Sequence, residues 1–338
     1  EVRIARGVGL AVLVVGALAL PHLLGTEDSL KASAVLIFAL VGLSIVVLTG
    51  WAGQVSLGQM GFVGAGAAVT AVATSDWGLD LALALPLAAV VGGLIALVVG
   101  LPALRLRGLF LAVTTLAFGL AMSSYFLNQD FFDWVPSGRV DRPPLFGRID
   151  LDSPTRIYYL VLVVLVLCLA GLQGVRHSRT GRVLIALREN ERAAQSFGVS
   201  ATRVKLLAFA MSGAIAALAG GLLLEHQQAF TPELYGPFES VNVFIATVIG
   251  GLGTLAGAIF GALFLRGAQW FLPLDWRALA APVGVLLVLL VVPEGIGGLV
   301  FRTRDAILRW ASDRRGLVVP SLTRDAGTEG DGPDPGGP

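Results

Sequence analysis

Charge is scarce in this 338-residue chain. Asp, Glu, Lys and Arg together make up 14% of it, against 55% hydrophobic residues and a mean hydropathy of +0.80. A soluble domain carries about 25% charged residues, so a globule surrounded by water is excluded. Cysteine is nearly absent, and the single Cys168, inside an apolar run, excludes an internal disulfide or a thiolate metal cluster. The three histidines, His22, His177 and His226, stand far apart in sequence, so neither a metal nor a haem site is expected, nor any other cofactor. Lysine is as rare. Neither Lys31 nor Lys205 follows a glycine as a phosphate-binding G-x-x-x-x-G-K-[ST] loop requires, so the chain carries no nucleotide-hydrolysing site of that kind.

What is present is long apolar runs. Blocks of the 17–25 residues that cross a bilayer fall at about 8–24, 32–50, 57–74, 81–102, 109–127, 157–174, 205–224 and 280–300. The opening "RIARGVGLAVLVVGALAL" has the outline of a signal peptide, but no small-residue cleavage site follows cleanly, so it reads as the first span. Block 241–272 is too long for one upright helix and is cut by Gly250, Gly251 and Gly253; it reads as a short segment, a tight turn and a returning helix. The fold class is therefore all-α: a polytopic helical membrane protein of about eight full spans plus a glycine-broken hairpin. The domains expected are a transmembrane domain over 1–304, a cytoplasmic loop at 175–205 within it, and a cytoplasmic tail over 305–338, disordered from about 320.

Orientation follows the arginines. Arg3 and Arg6, Arg105 and Arg107, the run from Arg176 to Lys205, and Arg302 to Arg315 mark cytoplasmic segments. Segments 25–31, 75–80 and 225–240 are mainly acidic, 128–156 is mixed and rich in Pro and Trp, and all four fall outside. Both termini come out cytoplasmic.

The loop 175–205 is the largest cytoplasmic connection. "ALRENERAAQSFGV", residues 186–199, reads as a helix ending at Gly198, with Gly181 before it. Ala186, Ala193, Ala194 and Phe197 form a small-residue face, with Arg188, Glu189, Glu191 and Arg192 around it. Such a helix suits a groove on a partner protein or the lipid headgroups; periodicity leaves both open.

"ENERAAQSFGVSATRVKLLAFAMSGAIAALAGGL" resembles the cytoplasmic loop and following helix of permeases from bacterial branched-chain amino acid ABC importers, in particular the LivM-type subunit. "LTGWAGQVSLGQMGFVGAGA" (48–67), "LPALRLRGLFLAVTTLAFG" (101–119) and "ATVIGGLGTLAGAIFGA" (246–262) resemble further family segments in the same order, so the likeness runs over about 35–300. In ABC importers a Glu-Ala-Ala followed by Gly marks the helix that couples to the ATPase. Glu191, Ala193, Ala194 and Gly198 stand in those places, with Arg192 interrupting the triplet. The resemblance implies a transport subunit of the bacterial inner membrane, not an enzyme. It also implies separate ATP-binding subunits, a second, non-identical permease and an extracytoplasmic substrate-binding protein, and no nucleic-acid partner. Branched-chain or other aliphatic amino acids are the implied cargo, with urea or short amides as the alternative.

Two rival classes are tested by what the spans lack. A proton-coupled transporter needs acidic groups within its spans, and these blocks hold only Glu294, at the end of the last one. Sodium held by backbone carbonyls stays open, but gives the large cytoplasmic helix no role. An intramembrane enzyme needs a Ser/His or paired-carboxylate arrangement, and no block carries one.

Candidate path residues come from uncharged polar groups. Gln54, Ser56 and Gln59 stand among four glycines at the start of the third span and should face the interior or a watery path. Thr114 and Thr115, in the fifth, are expected to bond back to their own helix. Gly253, Gly257 and Gly261, four apart on the returning helix, admit a close helix neighbour, either within the subunit or across a dimer seam.

Overall fold

The computed structural model describes residues 16–22, 25–106, 108–136 and 138–271. The expected last span, the tail and most of the expected first span lie outside these. Residues 16–22 are helical and lean on the helix Pro154–His177 through Tyr158 and Tyr159, whose hydroxyls donate to Ala17 O (2.9 Å) and Leu18 O (2.8 Å).

The elements are helices: α1 (Thr26–Ile45), α2 (Gln59–Ser75), α3 (Leu81–Ala103), α4 (Leu109–Ala121), α5 (Pro154–His177), α6 (Arg179–Glu189), α7 (Glu191–Ser196), α8 (Ala201–Gln227), α9 (Pro237–Gly250) and α10 (Leu255–Phe271). π-helical turns extend α1 to Trp51 and α4 to Phe126. Five of these helices are long and apolar enough to cross a membrane: Thr26–Trp51, Leu81–Ala103, Leu109–Phe126, Pro154–His177 and Ala201–Gln227. They match the blocks expected from 32, 81, 109, 157 and 205 onward.

The block expected over 57–74 differs. Its helix α2 has 17 residues, a rise of about 25 Å against a bilayer core of about 30 Å. Residues 52–58 before it are irregular, because Gly50, Gly53 and Gly58 leave little to hold a helix. Bare backbone at this depth is tolerated only when protein satisfies it. Here the amide of Leu57 donates to Thr115 Oγ1 (2.9 Å), that of Met60 to Ser240 Oγ (2.9 Å) and that of Gln54 to Leu48 O (3.0 Å).

α1 and α2 form the centre. Almost every residue of α2 is buried, and from Ile37 to Ala52 the chain has no exposed residue. α8 runs beside α2 and α3 along a small-residue seam: a Cβ on Gly220 would collide with Val63 O, and one on Gly92 with Ala217. Without side chains there, backbones close to distances at which dispersion and Cα–H contacts hold helices together in lipid. α3, α4 and α5 turn broad apolar faces outward, with Leu83, Val98, Leu109, Phe110 and Leu167 exposed.

α9 and α10 form the expected broken hairpin, turning at Gly251 (φ 109°). The glycine ladder packs inside this hairpin: Gly257 lies against Gly250 and Gly251, and Gly261 against Ala246. Gly253 is not on the returning helix, which begins at Leu255; it sits in the turn, where a Cβ would meet nothing within 4 Å among the described residues.

The connections sort to two ends. Residues 128–153 and 228–236 share one end through a two-stranded antiparallel ribbon, β1 (Gly138–Arg139) with β2 (Ala229–Phe230), in the register Gly138 to Phe230. The start of α1 joins them there, Ser33 Oγ lying 3.0 Å from His226 Nδ1. Arg142 staples this end from within. Its guanidinium donates to Glu225 O and Leu151 O and stands 3.9 Å from the Glu225 carboxylate, both side chains almost fully enclosed. Burial pulls the Arg142 guanidinium below the usual arginine value, while the Glu225 charge pushes back. At the other end, Arg188 reaches Gly50, and Leu252 closes over Gly50.

A candidate coupling surface and a buried polar cluster

The loop expected to hold one helix over 186–197 holds two. Asn190 interrupts it in an extended conformation (φ −149°, ψ 96°), and its side chain accepts from the Ala193 amide at 3.0 Å, capping α7. The helix-forming Ala, Leu, Glu and Arg on either side mask this break, although an Asn before such a run is a good N-cap. Gly181 is not a spacer before the helix; it lies within α6, where a Cβ would strike the end of α5. Gly198 does stop α7, with φ 80°, a left-handed turn that costs other residues about 1–2 kcal/mol.

The expected small-residue face is split by this geometry. Ala194 turns inward, 8% exposed, and packs with Leu187, Val199, Ala201 and Val204 into a small core belonging to the loop. Ala186 and Ala193 face outward, as do Arg192 and Ser196, and Phe197 projects with 86% of its surface exposed. Glu189 is exposed at the break, while Glu191 binds Lys205 at 3.0 Å and so fixes α7 to the base of α8. Arg188 does something the sequence does not disclose. Its Nη1 donates to Gly50 O at the π-helical end of α1, and its methylenes lie against Gly53 (φ 68°), where a Cβ would come within 3.1 Å of Arg188 Cγ.

Beyond Gly53 lies the second group of expected residues. Gln54 is half-buried and donates back to Ala52 O (3.1 Å). Ser56 and Gln59 are buried, 1% exposed each, and Ser56 Oγ reaches Gln59 Oε1 at 3.5 Å, the outer edge of hydrogen-bond range. The Gln59 amide donates to Ser44 Oγ (2.9 Å) on α1 and to Ser212 Oγ (2.5 Å) on α8. Ser212 Oγ donates to Ser44 O (2.8 Å), and Ser44 Oγ to Val41 O (2.6 Å). Every polar atom in this cluster has a partner, so it knits α1, α2 and α8 together inside an apolar body. Ser44 and Ser212 carry no signal in the sequence, because an isolated Ser within a span usually bonds to its own helix. Thr115 does bond back, to Ala112 O (3.0 Å), while also accepting from Leu57. Thr114 bonds back to Phe110 O (2.8 Å) on an exposed face. The structure thus unites Gln59, Ser56 and Thr115 around the irregular segment and leaves Thr114 apart.

Among the described residues no three His, Cys, Asp or Glu side chains lie close enough to hold a metal ion.

Residues 31–292 match the model of a family described as the branched-chain amino acid transport system, permease component. The high-affinity branched-chain amino acid transport system permease protein LivM of Salmonella typhimurium is 31% identical over 85% of this chain and 74% of its own length. The corresponding LivH protein of Escherichia coli K12 is 32% identical over 43% of the chain and 49% of its own. The autoinducer 2 import system permease protein LsrC of an Enterobacter species is 29% identical over 82% and 79%. No solved structure matches the chain.

Proposed function

The chain belongs to the branched-chain amino acid transport permease family as a LivM-type member, and on that premise we propose how it works. It is the membrane permease of an ABC importer for branched-chain amino acids. Its five long apolar helices fit a multi-pass inner-membrane protein, a transport component rather than an enzyme. ATP is hydrolysed by separate subunits that dock on the loop 175–205, and a second, non-identical permease completes the path. An extracytoplasmic binding protein delivers the cargo to the opposite end. In this reading the arginine-rich end, with both termini and the tail 305–338, faces the cytoplasm, and the ribbon end faces outward, ringed by Trp77, Tyr125, Phe131 and Trp134 at interfacial depth.

One observation carries the coupling. The exposed tip Ala193–Phe197 and the irregular segment 52–58 are joined through α6 by Arg188. A partner that moves the tip moves a rigid module, because Leu187, Ala194 and the Glu191–Lys205 pair hold α6, α7 and α8 together. That motion reaches Gly50, Gly53 and the chain leading to Gln54, Ser56 and Gln59, where the path opens. The test is uptake of labelled leucine and labelled urea by cells with and without this chain. Leucine uptake that depends on the chain and on ATP is expected. Import driven by an ion gradient through the chain alone would overturn the reading.

A further inference from the structure

At the end formed by the ribbon, the start of α1, the end of α8 and α10 line an open cavity of about 230 Å³. That space admits a molecule the size of a free amino acid. Its polar wall is made by Lys31, His226, Gln227 and Arg266, and its apolar wall by Leu30, Ala34, Leu223 and Trp270. No carboxylate lines it among the described residues.

Each polar group is held in a specific state of readiness. The Arg266 guanidinium lies flat on Phe38, 3.5 Å from the ring centroid, and is gripped from behind by Gln269 and by Glu239 at 3.4 Å. This fixes its plane and spends one N–H of each Nη, so each Nη keeps a second N–H, while the enclosed Nε takes no part. A guanidinium held so, with its remaining Nη donors beside the cavity, matches a planar carboxylate. Lys31 adds positive charge, tethered to Asp28 at 2.9 Å. The Ser33 hydroxyl gives its one proton to Leu30 O (2.7 Å) and therefore accepts from His226 Nδ1 at 3.0 Å. Nδ1 then carries the imidazole proton, and Nε2 is left with a lone pair for a donor such as an ammonium.

We propose that this cavity binds a free aliphatic α-amino acid as its zwitterion, the carboxylate on Arg266 and Lys31, the ammonium on His226, the side chain against Leu30, Ala34 and Leu223. The assignment rests on the permease reading above and adds a site to it: a cargo station on the outer side of the chain. It also separates the possible cargoes, because urea and short amides have no carboxylate for Arg266.

The experiment measures equilibrium binding of labelled leucine to the purified, assembled importer without ATP, with leucinamide and isovalerate as competitors. Leucine should outcompete both roughly tenfold or better, because each competitor lacks one of the two charged groups. Arg266→Gln should weaken leucine binding at least as much. Ala34→Trp, which fills the cavity without touching a charge, should abolish it while the complex remains assembled. Equal competition by leucinamide, or unchanged leucine binding in assembled Ala34→Trp importer, overturns the proposal. So does co-purification of an anionic lipid that Arg266→Gln strips while leucine binding persists. Uptake by wild-type cells is scored separately: leucine import with no binding at this cavity sinks only the station, whereas absence of any chain-dependent amino acid import sinks the permease reading itself.

Discussion

Arg188 donates to the carbonyl of Gly50 across 138 residues of sequence, joining the loop helix α6 to the π-helical end of α1. The carbonyl is available because the helix stops there: Gly50, Gly53 and Gly58 break the chain before α2 begins, and its last carbonyls need donors. Arg188 supplies one, and Gly53 has no side chain to obstruct the arginine stem.

Removing that donor should uncouple rather than unfold. In Arg188→Gln importer the ATPase subunits stay associated and hydrolyse ATP, while leucine uptake per ATP falls roughly tenfold, a coupling energy of the usual 1–3 kcal/mol. Parallel ATPase and uptake assays on the same proteoliposomes check this. Proportional loss of both activities would instead mean that Arg188 belongs to the docking surface.

The Arg142–Glu225 staple at the ribbon end is a stability element. Arg142→Met leaves the Glu225 carboxylate enclosed and uncompensated, which should cost about 3–5 kcal/mol. The double variant Arg142→Met/Glu225→Leu should regain only part of it, because the charge is gone but Glu225 O and Leu151 O still lack the donors Arg142 gave them. Thermal unfolding in detergent reads both. A double variant no more stable than the single one would contradict this account.

The buried cluster makes a sharper claim about Gln59. Gln59→Leu takes away the acceptor for Ser56 Oγ and the donors to Ser44 and Ser212. Stranding such groups costs about 1–3 kcal/mol, and the serines' remaining bonds to Val41 O and Ser44 O place the effect at the lower end. Adding Ser56→Ala should recover part of the loss, measured by the same unfolding assay.

Much of this was legible from the sequence. Uncharged blocks long enough for a bilayer gave five long helices, and the glycines at 250, 251 and 253 gave the α9–α10 hairpin, because both signals are local. What escaped needs partners distant in sequence. Asn190 is hidden among strong helix formers, and only the packing of Ala194 on Leu187 and Ala201 shows why the helix bends there. Ser44 and Ser212 acquire meaning only once α1 and α8 meet at Gln59. The shortness of α2 follows from Thr115 and Ser240 satisfying backbone that lipid could not.

Orientation can be read with single cysteines placed at the two ends in a Cys168→Ser background. Asp141→Cys, on the exposed ribbon side, should react with an impermeant maleimide added to intact cells, and Thr180→Cys should react only after the membrane is opened. The reverse pattern would invert the membrane assignment and with it the docking side.

The sharpest test concerns Phe197 and Ala194, which the sequence places on one face and the structure on opposite ones. Phe197 is 86% exposed beside the left-handed turn at Gly198. Nothing in this chain covers it among the described residues, and it has the properties of an aromatic anchor for a groove. Phe197→Ala should therefore weaken ATPase association by about 2 kcal/mol, some thirtyfold in Kd, with no change in the permease's own unfolding temperature. Ala194→Glu acts differently. It drives a charge into the core of Leu187, Val199 and Ala201, so the loop itself is disrupted and becomes sensitive to protease, while the spans insert normally. Gly198→Val should resemble it more mildly, since its φ of 80° strains a β-branched residue although no neighbour stands within 4 Å. If Phe197→Ala keeps its ATPase bound and imports leucine at the normal rate, the helix pair rests on the lipid headgroups and the coupling surface lies elsewhere.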